Sequence, residues 1–210
     1  YTLQLYGGGA RRVRAALHVV VLNLVGSSIF LIGIAAIYAA TGTLNLADLA
    51  QVAATELSNT TGIIAFILIL LGIGVKAELF PVNTWVPEVY ATAGKRVSAL
   101  LAGVVSKLAV LVLVRIMLLM FQVEQVLLIM LLFGLLGVIA GELAAWRARD
   151  MSRMLAYSSI GQLGMVFIAF SIPGNAGLYA GLALSLHHLL VKPALFLLAE
   201  RWNYSLQGLA

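Results

Sequence analysis

The sequence has no cysteine and few charged side chains, and both shortages limit what the protein can be. Without cysteine there can be no disulfide, iron–sulfur cluster, thiolate zinc site or cysteine nucleophile. Charged residues make up only 10% of the chain, whereas they make up about 25% of a soluble domain. Hydrophobic residues make up 62%, compared with about 50% in soluble domains. With a mean hydropathy of +1.06, this composition predicts a membrane protein.

The beginning of the chain lacks the features of a signal peptide. It starts at Tyr1 rather than at Met, and it has no basic stretch followed by an apolar run and a small-residue cleavage site. We therefore expect an internal fragment of a larger membrane protein, with residues 1–210 forming a single transmembrane domain.

Long apolar runs predict an all-α, polytopic fold with six transmembrane helices. A bilayer core of about 30 Å needs about 20 apolar residues in a helix, and six runs meet that length. Their approximate limits are Ala15 to Ala40, Thr61 to Val86, Val97 to Phe121, Gln125 to Trp146, Met151 to Ile172 and Ala176 to Glu200.

The charges between the spans predict the orientation. Six crossings put both chain ends on one side of the membrane, and every Lys or Arg outside the spans falls on that side. By the positive-inside rule both ends are cytoplasmic, and we expect the bacterial inner membrane. The basic residues behind the net charge of +5 then set the topology, and no nucleic-acid partner is predicted. The basic residues concerned are Arg11, Arg12, Arg14, Lys95, Arg96, Arg147, Arg149, Arg153 and Arg201.

Two polar residues predict helix starts. Asp150 directly precedes the fifth span, where its side chain can cap the free amides of the first turn. Asn45 likewise predicts a short helix from Leu46 to Leu57 at the outer interface. An ordinary solvated loop is the alternative for that segment.

Ionisable residues inside the spans are the main functional signal. Lys76, Lys107 and His188 fall near the middles of their spans, and Lys192 lies one helical turn after His188. Each lysine near a helix centre costs at least ~2.5 kcal/mol on insertion scales, so it needs water, a partner or a function. Burial favours neutral lysine, and histidine changes its charge near neutral pH. These four residues therefore predict a proton relay at mid-membrane.

Three further residues are accessory candidates. Glu78 lies deep enough to pair with a lysine of another helix, and Glu142 lies near a cytoplasmic end, where protons would enter. His187 adjoins His188, but neighbours on a helix point about 100° apart and the sequence offers no third ligand, so no metal site is predicted. The alternative interpretation is a set of static lysine–carboxylate pairs.

Two prolines predict broken helices beside the lysines. Pro81 follows Lys76 by five residues and Pro193 directly follows Lys192. Each removes a backbone donor, and broken helices at mid-membrane form ion sites in many transporters. A simple packing kink is the alternative.

Three segments resemble the antiporter-like subunits of respiratory complex I, membrane-bound hydrogenases and Mrp-type cation/proton antiporters. The resemblance covers essentially the whole chain, and the first segment looks most like the D subunit of the Mrp-type antiporters. The segments are Thr41 to Ala50 (TGTLNLADLA), Val75 to Glu88 (VKAELFPVNTWVPE) and Leu155 to Ile160 (LAYSSI).

The resemblance implies a role for each relay residue. Lys76 corresponds to the lysine of a broken helix that acts as a switch, and Lys107 to the central relay. His188 and Lys192 correspond to the link to a second half-channel. It also implies two inverted five-helix repeats, of which this chain would hold the last three helices of the first and the first three of the second.

Some positions depart from the family pattern. Asn83, Leu184 and Gln162 stand where family members often or sometimes have histidine. The usual glutamate partner of the Lys76 position would lie before residue 1. This chain alone is therefore not expected to complete a proton path.

The resulting prediction is a transporter subunit, not an enzyme, in a complex that exchanges Na⁺ or K⁺ for protons. Its expected partners are other membrane subunits and lipid. No cofactor is predicted, because the sequence has no phosphate-cradling loop, metal cluster or thiol. One alternative is a proton-pumping subunit of a redox-driven NADH-quinone oxidoreductase or hydrogenase. The other is a structural subunit whose lysines are locked in ion pairs.

Overall fold

The computed structural model describes residues 9–121 and 123–201, apart from the side chain of Arg201. Gln122 and the Arg201 side chain, which the sequence assigns to opposite sides of the membrane, therefore lie outside the described part. Within that part the protein has the predicted all-α fold, with helices joined by loops and turns. The helices are α1 (Ala10–Thr41), α2 (Leu46–Glu56), α3 (Thr60–Gly74), α4 (Val86–Thr92), α5 (Lys95–Met120), α6 (Glu124–Trp146), α7 (Met151–Ser171) and α8 (Asn175–Arg201).

Five of the helices are long and apolar enough to cross a membrane, namely α1, α5, α6, α7 and α8. They correspond to five of the six predicted spans. The predicted N-cap of α7 is confirmed, because the Asp150 carboxylate accepts a hydrogen bond from the Arg153 amide at 2.9 Å. The short interfacial helix is confirmed as α2, whose first turn is capped by Asn45 at 2.9 Å from the Ala47 amide.

The second predicted span, Thr61 to Val86, is a broken helix, as predicted from Pro81, but its break begins earlier than the proline. Helix α3 has only 15 residues, about 22 Å of rise, and ends at Gly74. A non-helical stretch, residues 75–85, separates it from α4; we call this the break segment. Two prolines fall within or just after it, Pro81 and Pro87, and neither can donate a helical hydrogen bond. The helix thus ends at Gly74, seven residues before Pro81, although the proline alone would allow it to continue to Phe80.

Backbone and side-chain hydrogen bonds hold the break segment together. The Trp85 indole donates to the carbonyl oxygen of Val75 at 2.8 Å, which ties the two ends of the segment. The Asn83 amide donates to the carbonyl oxygen of Glu78 at 2.9 Å. These bonds satisfy carbonyl groups that the interrupted helix leaves free, as a buried irregular backbone requires.

Pro193 does not break its helix, so the break predicted at this proline is wrong. Helix α8 continues through it. One proline removes one donor, and neighbouring groups in a packed bundle can make up for that loss. The ring of Pro193 packs against Gly103 of α5, where a Cβ atom would lie only 2.6 Å from the proline Cγ. The proline therefore serves close packing between α5 and α8.

Glycine pairs bring other helices together. Gly134 and Gly164 lie backbone to backbone between α6 and α7, and Gly26 and Gly72 do so between α1 and α3. In each pair a Cβ atom on one glycine would come within 3.0 Å of the carbonyl oxygen of the other. Small residues of this kind let transmembrane helices approach closely.

The break segment lies where two apolar cores meet. Its residues Ala77 and Leu79 belong to the core built around α3, α5 and α7. Its residues Val75 and Trp85 belong to a second core, which includes parts of α1, α4 and α8. Glu78, which separates Ala77 from Leu79, is thereby held at the junction.

Candidate functional site

Glu78 is the carboxylate at the centre of the site. Only 1% of it is exposed, and its backbone adopts a left-handed conformation with φ of 58°. That conformation costs a non-glycine residue on the order of 1–3 kcal/mol and is found mostly at functional positions. Its Oε1 accepts a hydrogen bond from the Tyr90 hydroxyl at 2.5 Å, and its Oε2 accepts one from the Ser159 hydroxyl at 2.9 Å. The side chain therefore connects the break segment to α4 and α7.

Ser159 extends this connection to α8. Its Oγ lies 3.0 Å from Nε2 of His188, which is 1% exposed. A serine hydroxyl has one proton, and here it is directed to Glu78, so His188 donates from Nε2. The other ring nitrogen, Nδ1, is buried and has no hydrogen-bond partner among the described residues. An unbroken hydrogen-bonded chain thus runs from Tyr90 through Glu78 and Ser159 to His188.

Lys107 is held by α5 itself. Its ammonium group donates to the carbonyl oxygen of Ala102 and to the Ser106 hydroxyl, each at 2.8 Å. Ala102 belongs to a π-helical turn, Leu101–Val105, directly before the lysine. Such turns rearrange the carbonyl groups of a helix and are frequent at functional sites. The π-turn thus supplies an acceptor for a charge that is only 5% exposed.

Lys192 reaches α7 from α8. Its ammonium group, on a residue that is 1% exposed, donates to the Ser158 hydroxyl at 2.9 Å. It also interacts electrostatically with Glu78 and Glu142. The Ser158–Ser159 pair therefore anchors both candidate residues of α8, His188 and Lys192.

These residues form one buried polar layer, which we define as Glu78, Lys107, Ser159, His188 and Lys192. The charges of both lysines act on Glu78 and on His188. With histidine neutral, two ammonium groups face one carboxylate. Buried charges with incomplete pairing are costly, and in membrane proteins they mark ion and proton pathways.

Lys76 lies outside this layer. It is half-buried at the start of the break segment, and the structure records no side-chain ion pair for it within the described residues. Its role as a switch stays a prediction. The carboxylate partner that the resemblance implies would lie before residue 1.

The accessory residues occupy different environments. His187 is exposed on the outer face of α8, whereas its neighbour His188 is buried, as the 100° rotation between them predicts. Glu142 is exposed on α6, but its carboxylate bends towards α7, where it would lie 2.4 Å from a Cβ atom on Gly161. Glu78 alone of the three lies within the layer. Among the described residues, no cluster of three His, Asp or Glu side chains is arranged to hold a metal.

Sequence reasoning missed the hydroxyl residues of the site. Ser106, Ser158, Ser159 and Tyr90 supply most of its hydrogen bonds. Their signal was a pair of adjacent serines in an apolar span and a serine next to a buried lysine. Serine is common in transmembrane helices, so that signal is weak without the helix packing.

A bundle of membrane-length helices with ionisable groups at its centre defines a polytopic membrane protein. The sequence profile of one family matches residues 1–209: the transmembrane family "NADH:quinone oxidoreductase/Mrp antiporter". The chain belongs to this family, which confirms the resemblance found in the sequence.

Known relatives include both branches of the family. The chain is 33% identical over 196 residues to the N subunit of NADH-quinone oxidoreductase from Desulforudis audaxviator, covering 91% of this chain and 39% of that protein. It is 34% identical over 203 residues to the D subunit of the Na⁺/H⁺ antiporter from Alkalihalophilus pseudofirmus, covering 95% of this chain and 41% of that protein.

A solved structure also matches. It is the membrane-bound sulfane sulfur reductase, an archaeal respiratory membrane complex, with a TM-score of 0.84 and 35% identity, covering 94% of this chain and 41% of that one. The chain thus spans about two fifths of the length of these relatives.

Proposed function

We propose that the full-length protein is a proton-translocating membrane subunit in which the buried polar layer passes protons across the middle of the bundle. The observation that carries this proposal is the burial of Lys107, His188 and Lys192 around one carboxylate in an otherwise apolar interior. Lysine and histidine can each hold or release a proton, and serine hydroxyls connect His188 and Lys192 of α8 to α7.

The three basic residues of the layer and Lys76 divide the path between them. Lys107 serves as the central relay, since its charge acts on both Glu78 and His188. His188 and Lys192 lie one turn apart on α8 and link the layer to the part of the protein that follows. Lys76 serves as the switch at the entry side, with a carboxylate from a preceding helix as its partner.

We further propose that exchange of Na⁺ or K⁺ for protons drives the movement, in a complex with other membrane subunits. The relative from the Na⁺/H⁺ antiporter, which matches 95% of the chain, supports this assignment. The second candidate is a redox-driven proton pump. The likeness to the NADH-quinone oxidoreductase relative and to the archaeal respiratory complex favours it.

The proposed location is a bacterial inner membrane, with both ends of this chain cytoplasmic. Apart from Lys76 and Arg115, the lysines and arginines outside the layer lie at the start of α1, the start of α5, the end of α6, the start of α7 and the end of α8. These ends share one side if the spans alternate in direction. The positive-inside rule makes that side cytoplasmic.

Inside-out vesicles containing the full-length protein with its neighbouring subunits test both parts of the proposal. An imposed pH gradient is followed with a pH-sensitive dye while Na⁺ or K⁺ is added without an electron donor. The natural protein is compared with Lys107→Met, which removes the charge but keeps the volume. Arg149→Met, an exposed basic residue outside the layer, is the matched control.

We expect the cation to collapse the gradient with the natural protein and with Arg149→Met, and roughly a hundredfold more slowly with an assembled Lys107→Met. A gradient that responds only to an electron donor would favour the redox pump over the antiporter. Natural rates for Lys107→Met under both driving forces would contradict proton translocation through the layer.

A further inference from the structure

We propose that Glu78 exchanges protons with His188 through the Ser159 hydroxyl, so that a carboxylate of the break segment is a working member of the path. This inference rests on the proposed function. It adds Glu78 as a proton-exchanging residue and Ser159 as the residue that connects it to α8.

The geometry of Glu78 favours this role over that of a passive counter-ion. A counter-ion needs only proximity to a lysine, yet within the described part of the chain both hydrogen bonds to the Glu78 carboxylate come from neutral hydroxyls. The residue also adopts a left-handed backbone conformation that glycine or asparagine would occupy more easily. That conformation directs a fully buried carboxylate to Ser159, and so into the hydrogen-bonded chain with His188.

The hydrogen-bonded chain allows a balanced transfer. A proton from the Lys192 ammonium, one helical turn away, reaches Nδ1 of His188, which has no partner among the described residues, and leaves a neutral amine and an imidazolium. The imidazolium releases its Nε2 proton to Ser159 Oγ while the Ser159 hydroxyl proton passes to Oε2 of Glu78. One proton has then moved from Lys192 to Glu78, and His188 is neutral with its proton on Nδ1. The reverse transfer follows the same steps backwards, and a second forward transfer requires the Ser159 hydroxyl to turn back to Glu78 and His188 to carry its proton on Nε2 again.

Tyr90 is expected to position the carboxylate without carrying the proton. Its hydroxyl donates to Oε1, the oxygen that does not accept from Ser159, and the ring packs edge-on against Trp85 and Phe196 in the second core. It is therefore the matched control for Ser159, because each variant removes one hydrogen bond from the same carboxylate.

Five variants of the full-length protein in its complex test the inference with the vesicle assay described above. Glu78→Gln removes the titratable group, Ser159→Ala cuts the connection, and Ser159→Thr restores a hydroxyl. Tyr90→Phe removes the other hydrogen bond, and the double variant Glu78→Gln with Ser159→Ala combines the two losses. Assembly of each complex is checked by the recovery of its subunits after purification.

We expect Glu78→Gln and Ser159→Ala to slow proton movement by about tenfold or more, and the double variant to be no slower than Glu78→Gln, because both changes block one step. Ser159→Thr and Tyr90→Phe should keep most of the natural rate. Losses that multiply in the double variant would mean that Glu78 and Ser159 act in separate steps, and a Tyr90→Phe loss equal to that of Ser159→Ala would mean that only the position of the carboxylate matters. Either result would overturn the inference.

Failure of the inference and failure of the proposed function give different results. If Lys107→Met is slow but assembled Glu78→Gln and Ser159→Ala run at the natural rate, the layer translocates protons without Glu78, and the inference alone is overturned. If the assembled Lys107→Met complex itself moves protons at the natural rate, the result contradicts the proposed function.

Discussion

Adding one methyl group at Gly103 should separate the two helices that carry the buried lysines. A Cβ atom on Gly103 would lie 2.6 Å from Cγ of Pro193, and ordinary contact begins at 3.4 Å, so the groups must part by about 0.8 Å. A proline ring cannot rotate away as a flexible side chain can, and the displacement falls on the helix axes. Gly103 is four residues before Lys107, and Pro193 directly follows Lys192.

The expected cost of Gly103→Ala follows from two opposing effects. Forcing an extra methyl group into a packed interior costs about 1–3 kcal/mol. Replacing glycine by alanine in a helix returns about 1 kcal/mol. We therefore expect a net loss of up to about 2 kcal/mol in the free energy of unfolding. A displacement of this size at a site that transfers protons is expected to slow transport by about tenfold to a hundredfold.

Thermal unfolding of the purified full-length protein and vesicle transport measure the two effects. Gly137→Ala is the matched control, because a Cβ atom there would meet its nearest neighbour, Cα of Gly164, at an ordinary 3.5 Å. The double variant Gly103→Ala with Pro193→Ala removes the Cγ atom and should recover most of the lost stability. The reasoning is refuted if Gly103→Ala unfolds and transports like Gly137→Ala, or if the double variant recovers nothing.

Three further predictions concern stability and orientation. Gly141→Ala should lower the unfolding temperature more than Gly161→Ala. A Cβ atom at Gly141 would meet the backbone nitrogen of Gly161 at 2.5 Å, whereas one at Gly161 would meet the movable side chain of Glu142. Equal losses in the two variants would contradict this prediction. Arg153→Gln should cost no more than about 1 kcal/mol in thermal unfolding, since its ion pairs to Glu88 and Asp150 are partly exposed, and a larger loss would reveal an unrecognised role. Because this sequence has no cysteine, single introduced cysteines can test the orientation with a membrane-impermeant thiol reagent. Arg149→Cys should react in inside-out vesicles and Ala47→Cys in right-side-out vesicles. The reverse pattern would overturn the topology.

Most of the helices could be predicted because a membrane imposes a simple rule on the sequence. A segment about 20 residues long and apolar throughout must be helical in lipid, and five of the six predicted spans follow that rule. The caps at Asn45 and Asp150 were predictable because a polar side chain directly before an apolar run has few other uses.

The break segment shows where that rule fails. The run from Thr61 to Val86 is apolar enough to be counted as one span, yet its helix ends at Gly74. Prolines indicated an interruption, but the path of the chain after Gly74 depends on the hydrogen bonds that Trp85 and Asn83 make within the break segment. The opposite error occurred at Pro193, where a continuous helix is compatible with proline because Gly103 makes room for the ring.

The candidate site was predictable in its charged members only. Lys107, His188 and Lys192 were found because charge inside an apolar span is rare, and the structure brings all three together. The separation of Lys76 from the layer and the central position of Glu78 depend on the path of the break segment, which no helical periodicity encodes. The connecting hydroxyls became visible only when α7 and α8 were placed against each other.

The central claim is that the buried layer carries protons, and Lys192→Met tests it most directly. Lys192 is buried, bound to Ser158 and electrostatically coupled to Glu78, and in our proposal it is a member of the path that is exposed on neither side. The measurement is the initial rate of proton movement in vesicles containing the full-length protein in its complex, with subunit recovery as the check on assembly. Our account predicts an assembled complex that moves protons roughly a hundredfold more slowly. An assembled Lys192→Met complex that moves protons at the natural rate would contradict it.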